Sequence, residues 1–468
     1  MNVKFVFRNI ILGLGIFLLA IACTDKKPEN KYTSKGKIDY TLSASDAMML
    51  DTIQRKTFEF FRHERAPEKN IVKDRAADWA SASIAATGFG LPVYATAAER
   101  GWITREEAAQ VTNNILDFFA YSDQSADTLT TGYKGFYYHF LDLKNGKRTW
   151  NCELSTIDTG LLLMGVIFAR NYYDQDNATE NNIRNQAQLL LSRLDWEFFL
   201  MPEDSKHPHT ISMGWSPEDG MINNGWTGYN EGLFLYILAA GTGMVDVKDS
   251  YDAWLSTYKW YTPYEGLSHV AFPPLFGHQF SHIFIDFRGL YDPYMKEKGI
   301  DYFENSRRAS LVQQKYAEQN PYGWKGYNNY CWGITASDGP GSTYDFDGKK
   351  FYAYAGRGTS GPEYNYFDDG TIAPYGSFSS LPFIPEVVLA TINNINNTYG
   401  EKLWGTYGYY DSFNPTADWV DSHFIGIDEG PLILMIENFR SGLVWNYVMK
   451  DPVIQKGLEV LDFQYVNK

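Results

Sequence analysis

The chain has 468 residues and a formal net charge of −15, an acidic balance that disfavours a nucleic-acid backbone or an anionic polymer as partner and leaves neutral ligands open. Only three cysteines are present, so a disulfide framework does not hold the fold together, and spacing alone does not establish a bridge between Cys152 and Cys331. The 34 Tyr, 30 Phe and 13 Trp suit core packing, and Tyr and Trp add a polar edge to an apolar face that also fits the C–H faces and hydroxyl rims of sugar rings.

Lys4 and Arg8 precede an apolar run from Ile10 to Ala22 that ends at Cys23. The run is shorter than the roughly 20 residues that span a bilayer, and a basic start, an apolar middle and a small residue before cysteine form a lipoprotein signal pattern. Residues 1–22 are therefore expected to be removed and Cys23 acylated, although Ala20 stands where such sites more often carry leucine; an ordinary cleaved signal peptide is the alternative. Removal takes away two basic and no acidic side chains, so the mature chain is more acidic still. Residues 23–40 read as lipid-anchor cysteine and polar tether, and residues 41–468 as one helical domain. The expected location is outer membrane-associated, on the periplasmic or cell-surface side, with the lipid anchor in the membrane.

Residues 46–62 place Met48, Met49, Ile53, Phe58, Phe60 and Phe61 at helical positions, with Ser45 or Asp46 as cap. Residues 76–87 are Ala-rich and carry Trp79 and Ile84. Thr104 and Glu107 have capping-box spacing ahead of Val111, Ile115, Leu116, Phe118 and Phe119. Further helices are expected at 156–172, 182–199, 229–240, 276–286, 298–317, 384–397 and 428–448. The unbroken run Leu432–Ile436 in the last demands burial on more than one side, which two successive shells of helices provide. No repeat of 30 to 40 residues supports a solenoid. The expected class is all-α, an α/α toroid with long loops around a cleft at one end. Residues 130–152, through Gly135–Asp142 and Arg148-Thr149-Trp150, read as a small β-hairpin. Residues 340–380 carry Gly356-Arg357-Gly358, Gly361-Pro362-Glu363-Tyr364 and Asp368-Asp369-Gly370-Thr371, the composition of a loop that walls a site.

Hydrolysis of an acetal needs one carboxylic acid to protonate the leaving oxygen and a second carboxylate to activate water or attack carbon. Candidates are acids beside apolar or aromatic residues at element ends, where burial raises proton affinity. Glu153 and Asp158 flank the start of the helix at 156; capping that helix is their alternative role. Glu231 sits at the first turn of another helix, with Trp226 and Tyr229 placed to form a sugar platform and Trp215 to extend that wall. Glu218 and Asp219 read as solvent-facing. Asp428 and Glu429 precede the last apolar helix and point in different directions, so that one enters the cleft while the other caps.

His278 and His282, four apart with Asp286 a turn onward, share a helix face. That spacing is also seen in metal sites, but the glutamate of the His-Glu-x-x-His motif is absent and two-carboxylate hydrolysis needs no metal. They read as polar cleft contacts or structural residues; no metal and no cofactor are expected. His207 and His209 belong to a loop. No Walker phosphate loop, Rossmann fingerprint or acyl-transfer nucleophile stands in its expected setting.

Taken together, Ile157–Gly160, Gly214-Trp215-Ser216, Gly228–Gly232, Phe272–His282, Asn329–Pro340 and Gly426–Pro431 resemble the bacterial glycoamylase-like proteins, especially the glycoside hydrolase family 144 group related to β-1,2-glucanases. The resemblance implies an (α/α)6 barrel and an inverting glycosidase acting on β-1,2-linked glucose polymers or oligosaccharides, a different linkage staying open. It implies Glu231 and Asp158 as candidate catalytic acids, with Glu153, Asp428 and Glu429 as additional ones. Trp215, Trp226, Tyr229 and Trp332 are the implied stacking walls, and His278, His282, Asp338 and Asp428 the implied partners of glucose hydroxyls. The alternatives are a carbohydrate-binding lipoprotein that does not cleave and a polysaccharide lyase; the negative charge disfavours the uronide substrate a lyase takes.

Overall fold

Wholly apolar helices and helices with one apolar stripe alternate along the chain, and the two kinds occupy different shells. The computed structural model describes residues 30–341, 345–346, 348–359 and 367–466. The expected signal peptide, Cys23, the first part of the tether and Gly361-Pro362-Glu363-Tyr364 lie outside the described residues. Residues 32–468 form one compact unit. Its helices are α1 (Ala44–His63), α2 (Ile84–Glu99), α3 (Arg105–Tyr121), α4 (Thr156–Tyr172), α5 (Ala178–Ser192), α6 (Leu233–Thr242), α7 (Val247–Leu255), α8 (Phe280–Phe284), α9 (Pro293–Lys298), α10 (Tyr302–Gln319), α11 (Pro374–Phe378), α12 (Pro385–Leu403), α13 (Gly426–Ser441), α14 (Leu443–Val448) and α15 (Pro452–Val460).

The inner shell is built from α2, α4, α6, α8, α11 and α13, which are buried along most of their length. A helix apolar on every side must be covered on every side. The ring closes through α2 against α4, α4 against α6, Phe234 N donating to Ser281 Oγ between α6 and α8, Gln279 Nε2 donating to Gly376 O beside α11, and α11 and α2 packing on α13. Outside it lie α3 and α5 against α2 and α4, α15 against α6, α12 against α11 and α1 against α13. The α2–α4 crossing is tight because Gly88 meets Gly165: a Cβ at Gly165 would lie 2.1 Å from Gly88 O. This is the α/α toroid that the periodicity predicted.

Boundaries differ from the periodic reading where caps and left-handed residues intervene. The helix expected at 76–87 begins at Ile84, because Ser83 caps it by accepting from Ala86 N, while Lys73 pairs with Ala82 in the extended stretch before it. The segment 298–317 divides at Gly299, φ 73°, and Asp301 caps α10. The segment 428–448 divides at Gly442, φ 71°. Asn177 caps α5, which starts at Ala178, four residues before 182, and ends at Ser192. The segment 276–286 holds a 3-10 turn and only the short α8. The capping box at Thr104 and Glu107 forms as expected.

The hairpin expected at 130–152 belongs to a larger unit. Antiparallel strands Gly132–Tyr133, Phe136–Tyr138, Leu154–Ser155, Gly214–Ser216 and Gly220–Met221 lie side by side in that order. The strand Leu154–Ser155 runs straight into α4, so the sheet fixes the first turn of that helix. Cys152 and Cys331 are buried and unpaired. No helix among the described residues is long and apolar enough to cross a membrane.

Candidate active site

The turns that open α4, α6 and α13 carry the acids that sequence reasoning singled out. At α4, Ser155 Oγ accepts from Asp158 N and donates to Asp158 Oδ2 at 2.5 Å. His139, between two short strands, has Nδ1 2.8 Å from Glu153 Oε1 and Nε2 3.4 Å from Asp158 Oδ1, and its ring stacks on Phe140 at 3.9 Å. Burial opposes charge on His139, but Asp158 and Glu153 outweigh it and push the imidazole up to about 9. His139 is therefore a cation at neutral pH. Burial raises Asp158 and the His139 charge only partly offsets it; for Glu153 burial acts the same way, but the hydrogen bond from His139 wins and lowers it.

Glu231 lies in the turn before α6. Asn230 Oδ1 accepts from Gly232 N, and Glu231 O accepts from Ser281 Oγ, so the backbone on both sides is fixed. Burial, reinforced by the charge of Asp158, pushes the Glu231 carboxyl up to about 7. Its Oε2 is buried with no hydrogen-bond partner among the described residues. A carboxyl that is half protonated near neutrality and has a free buried oxygen can deliver a proton to a bound oxygen atom.

A second group of acids gathers at α13. Arg75 donates from Nη1 to Asp338 Oδ2 at 2.7 Å and from Nε to Asp74 Oδ2 at 3.0 Å. Asp411 Oδ2 accepts from Asp338 N at 2.8 Å. Burial pushes Asp411 up to about 7 and Asp421 to about 6, and raises Asp428 well above its ordinary value. Asp411 and Asp428 are close neighbours that act on each other's proton affinity, and Asp411 Oδ1 and Asp428 Oδ2 are buried without a hydrogen-bond partner among the described residues. Asp74 joins the two groups, since it binds Arg75 and its charge acts on His139.

Two trios bring ligand-type atoms within 4.8 Å of one another: His139 with Glu153 and Asp158, and Asp338 with Asp421 and His423. In the first, both ring nitrogens of His139 face carboxylates, the arrangement of a proton-bearing cation rather than of a ligand with a lone pair to give.

Residues 223–452 match the Glycoamylase family model, described as putative glucoamylase. A crystal structure of a putative glucoamylase from Bacteroides uniformis is 31% identical, with a TM-score of 0.79, over 92% of this chain and 100% of that one. The chain belongs to the glycoamylase family. An endo-β-1,2-glucanase from Chitinophaga pinensis, solved with sophorotriose and glucose, is 26% identical, with a TM-score of 0.76, over 91% of this chain and 100% of that one. An exo β-1,2-glucooligosaccharide sophorohydrolase (non-reducing end) from Parabacteroides distasonis is 27% identical over 453 residues, 90% of this chain. The chain spans 58% of the length of that curated relative.

Within the glycoamylase fold, Glu231, Asp158 and Glu153 form one group whose charges act on one another, and Asp338 and Asp428 belong to a second. Glu429, one residue on from Asp428, is also buried; its Oε2 has no hydrogen-bond partner among the described residues, and burial with the charge of Asp411 raises its proton affinity. Several expected sugar contacts are corrected. His282 and Trp332 have no exposed surface; Ser306 Oγ lies 3.0 Å from His282 Nε2, and Trp332 Nε1 donates to Thr391 Oγ1. His278 packs between Tyr229 and His269 with Nε2 3.0 Å from Phe272 O, and Tyr229 stacks on Tyr302, both buried. Helical spacing placed these residues on one face, but that face is turned into the core. Trp226 is buried, its Nε1 donating to Thr156 Oγ1 beneath the first turn of α4, so it supports the site instead of stacking on a ligand. Trp215 is half-buried against Tyr133 and Phe198.

Sequence reasoning missed His139, Asp74, Arg75, Asp411, Asp421 and His423. All lie in loops or short strands without period. The signal that was available is charge in an aromatic setting, as in Tyr409-Tyr410-Asp411 and Tyr138-His139-Phe140.

Proposed function

We propose that this protein hydrolyses β-1,2-linked glucan or gluco-oligosaccharide bonds with inversion. Glu231 is the general acid and Asp158 the carboxylate that activates water. The single observation that carries this reading is the pairing of a carboxyl pushed up to about 7 with a second, hydrogen-bonded carboxylate whose charge it feels. Environments that separate two acids in this way assign donor and acceptor. Protonated Glu231 gives its proton to the glycosidic oxygen as the C–O bond breaks. Asp158 takes a proton from the water that attacks the anomeric carbon from the opposite face. The β-1,2 linkage is supported by the named activities of the Chitinophaga and Parabacteroides relatives. A neutral polysaccharide or oligosaccharide also fits a chain of net charge −15.

One observation favours a second assignment of the base: Asp428 is likewise buried, and its Oδ2 has no hydrogen-bond partner among the described residues. Asp158→Asn and Asp428→Asn separate the two, because loss of the base lowers kcat by a factor of about 10² to 10⁴. The export pattern ending at Cys23 supports a lipid-anchored protein at the outer membrane, facing the periplasm or the exterior.

The test is hydrolysis of β-1,2-, β-1,3-, α-1,4- and β-1,4-glucans by the purified protein, with product analysis and the anomer of the first product read by NMR. Glu231→Gln should bind β-1,2-gluco-oligosaccharides without turning them over. Unchanged hydrolysis by both Glu231→Gln and Asp158→Asn would overturn the assignment.

A further inference from the structure

Two large aromatic side chains at the acid-bearing end of the toroid are left largely in water. Trp79 is 62% exposed and Trp150 50% exposed. They come from different loops, one ahead of α2 and the other ahead of α4, yet their rings meet at 6.2 Å with planes 47° apart. The folding chain does not hide them, although burying an indole is among its larger apolar gains.

Trp150 adjoins the acids through a continuous line of rings. Phe140 lies 5.0 Å from it, and His139 stacks on Phe140 at 3.9 Å while facing Glu153 and Asp158. Trp79 adjoins the second group of acids, since the Arg75 guanidinium lies 5.6 Å from its ring and holds Asp338. The backbone supplies an independent indication. Trp150 and Asn151 both take left-handed conformations, φ 57° and 50°. Two successive non-glycine residues in that region carry strain, and such strain collects at ligand sites.

We propose that Trp79 and Trp150 form a sugar-binding subsite at the mouth of the cleft, taking the apolar face of a pyranose ring one or more residues away from the bond being cleaved. The inference rests on the glucan reading above. Tilted indole faces give two planes for successive, mutually rotated rings, and exposed Asp78 and Asn151 beside them offer hydrogen bonds to hydroxyls. The aromatic line towards His139 favours an extended sugar chain over a protein partner, because a chain laid along it arrives at Asp158.

The test uses β-1,2-linked gluco-oligosaccharides of increasing length titrated into the Glu231→Gln protein, read by indole fluorescence and calorimetry. Affinity should step up at the length that reaches the pair. Adding Trp79→Ala or Trp150→Ala should remove that step, costing about ten-fold for long oligosaccharides, and Trp150→Tyr should restore most of it. In the active protein the ratio of kcat/KM on polymer to kcat/KM on the shortest cleaved oligosaccharide should fall about ten-fold. An unchanged step and an unchanged ratio in Trp79→Ala and Trp150→Ala overturn the subsite. Absence of turnover of every β-1,2-glucan by the unmodified protein instead overturns the glucan reading, and the fluorescence titration still decides whether the indoles meet sugar.

Discussion

Nε2 of His139 stands 3.4 Å from Oδ1 of Asp158, and this contact couples the charge of the imidazole to the readiness of the carboxylate to accept a proton. Burial holds Asp158 above its ordinary value and the His139 cation pulls it back. On the proposed assignment, activity requires Asp158 ionised and Glu231 protonated. The rate should therefore fall as pH drops through the raised value of Asp158, and fall again as pH climbs through about 7, where Glu231 loses its proton. His139→Gln removes the cation and should move the acid limb of kcat/KM upward by about one unit, the lower end of the effect of a close opposite charge. An acid limb that stays in place would show that His139 does not act on Asp158.

Asp158 in the first turn of α4 was legible because a charged residue at the start of an apolar run has either a capping or a chemical role, whereas Glu231, expected in a first turn, precedes α6, which starts at Leu233. The burial of His278 and His282 was not legible, because a pair at i and i+4 shares a face whether that face meets solvent or Phe287, Phe303 and Phe383. Nor was the approach of Asp411 to Asp428. These acids are far apart in sequence, and only the closure of the toroid brings Asp411 beside α13. Trp79 fell inside an expected helix, where an indole reads as core, but the Ser83 cap starts that helix after it.

The Asp411–Asp428 pair should make the protein less stable as pH rises. Burial raises both carboxyls above their unfolded values, Asp411 to about 7. The associated stability is fully present below the unfolded pKa of about 4 and is lost as pH climbs through the folded one. Asp411→Asn keeps the shape and removes the titration. Its melting temperature relative to the parent should therefore improve between pH 5 and pH 8, by about 2–4 °C. A difference independent of pH would show that Asp411 does not carry the raised proton affinity.

Arg357 and Asp369 anchor the long loop beside the second group of acids. Both are fully buried; Nε of Arg357 donates to Asp369 Oδ1 at 2.8 Å, and the same guanidinium donates to Ser337 O, Tyr352 O and Ala353 O. Asp369→Ala strands a buried cation, which costs about 3–5 kcal/mol. Urea unfolding should show that loss, whereas Lys402→Ala, whose partner Asp418 is exposed like itself, should leave the midpoint nearly in place. Equal effects from the two substitutions would show that the buried pair does not anchor the loop.

Glycine sets the α2–α4 crossing. A Cβ on Gly165 would stand 2.1 Å from Gly88 O and 2.9 Å from Gly88 C, and a Cβ on Gly88 would stand 2.5 Å from Leu162 Cα. These neighbours are backbone, so no side-chain rotation relieves the clash and the helices must separate. Overpacking of this kind costs about 1–3 kcal/mol. Because Asp158 sits in the first turn of α4, a displaced α4 also moves the carboxylate relative to Glu231. Gly165→Ala should therefore lower the urea midpoint and reduce kcat by more than the unfolded fraction accounts for. Gly356, where an added Cβ meets nothing within 4 Å, is the matched control, and Gly356→Ala should leave the urea midpoint in place. A Gly165→Ala protein with parental stability and turnover would mean that the two helices tolerate a wider crossing and that α4 does not position Asp158.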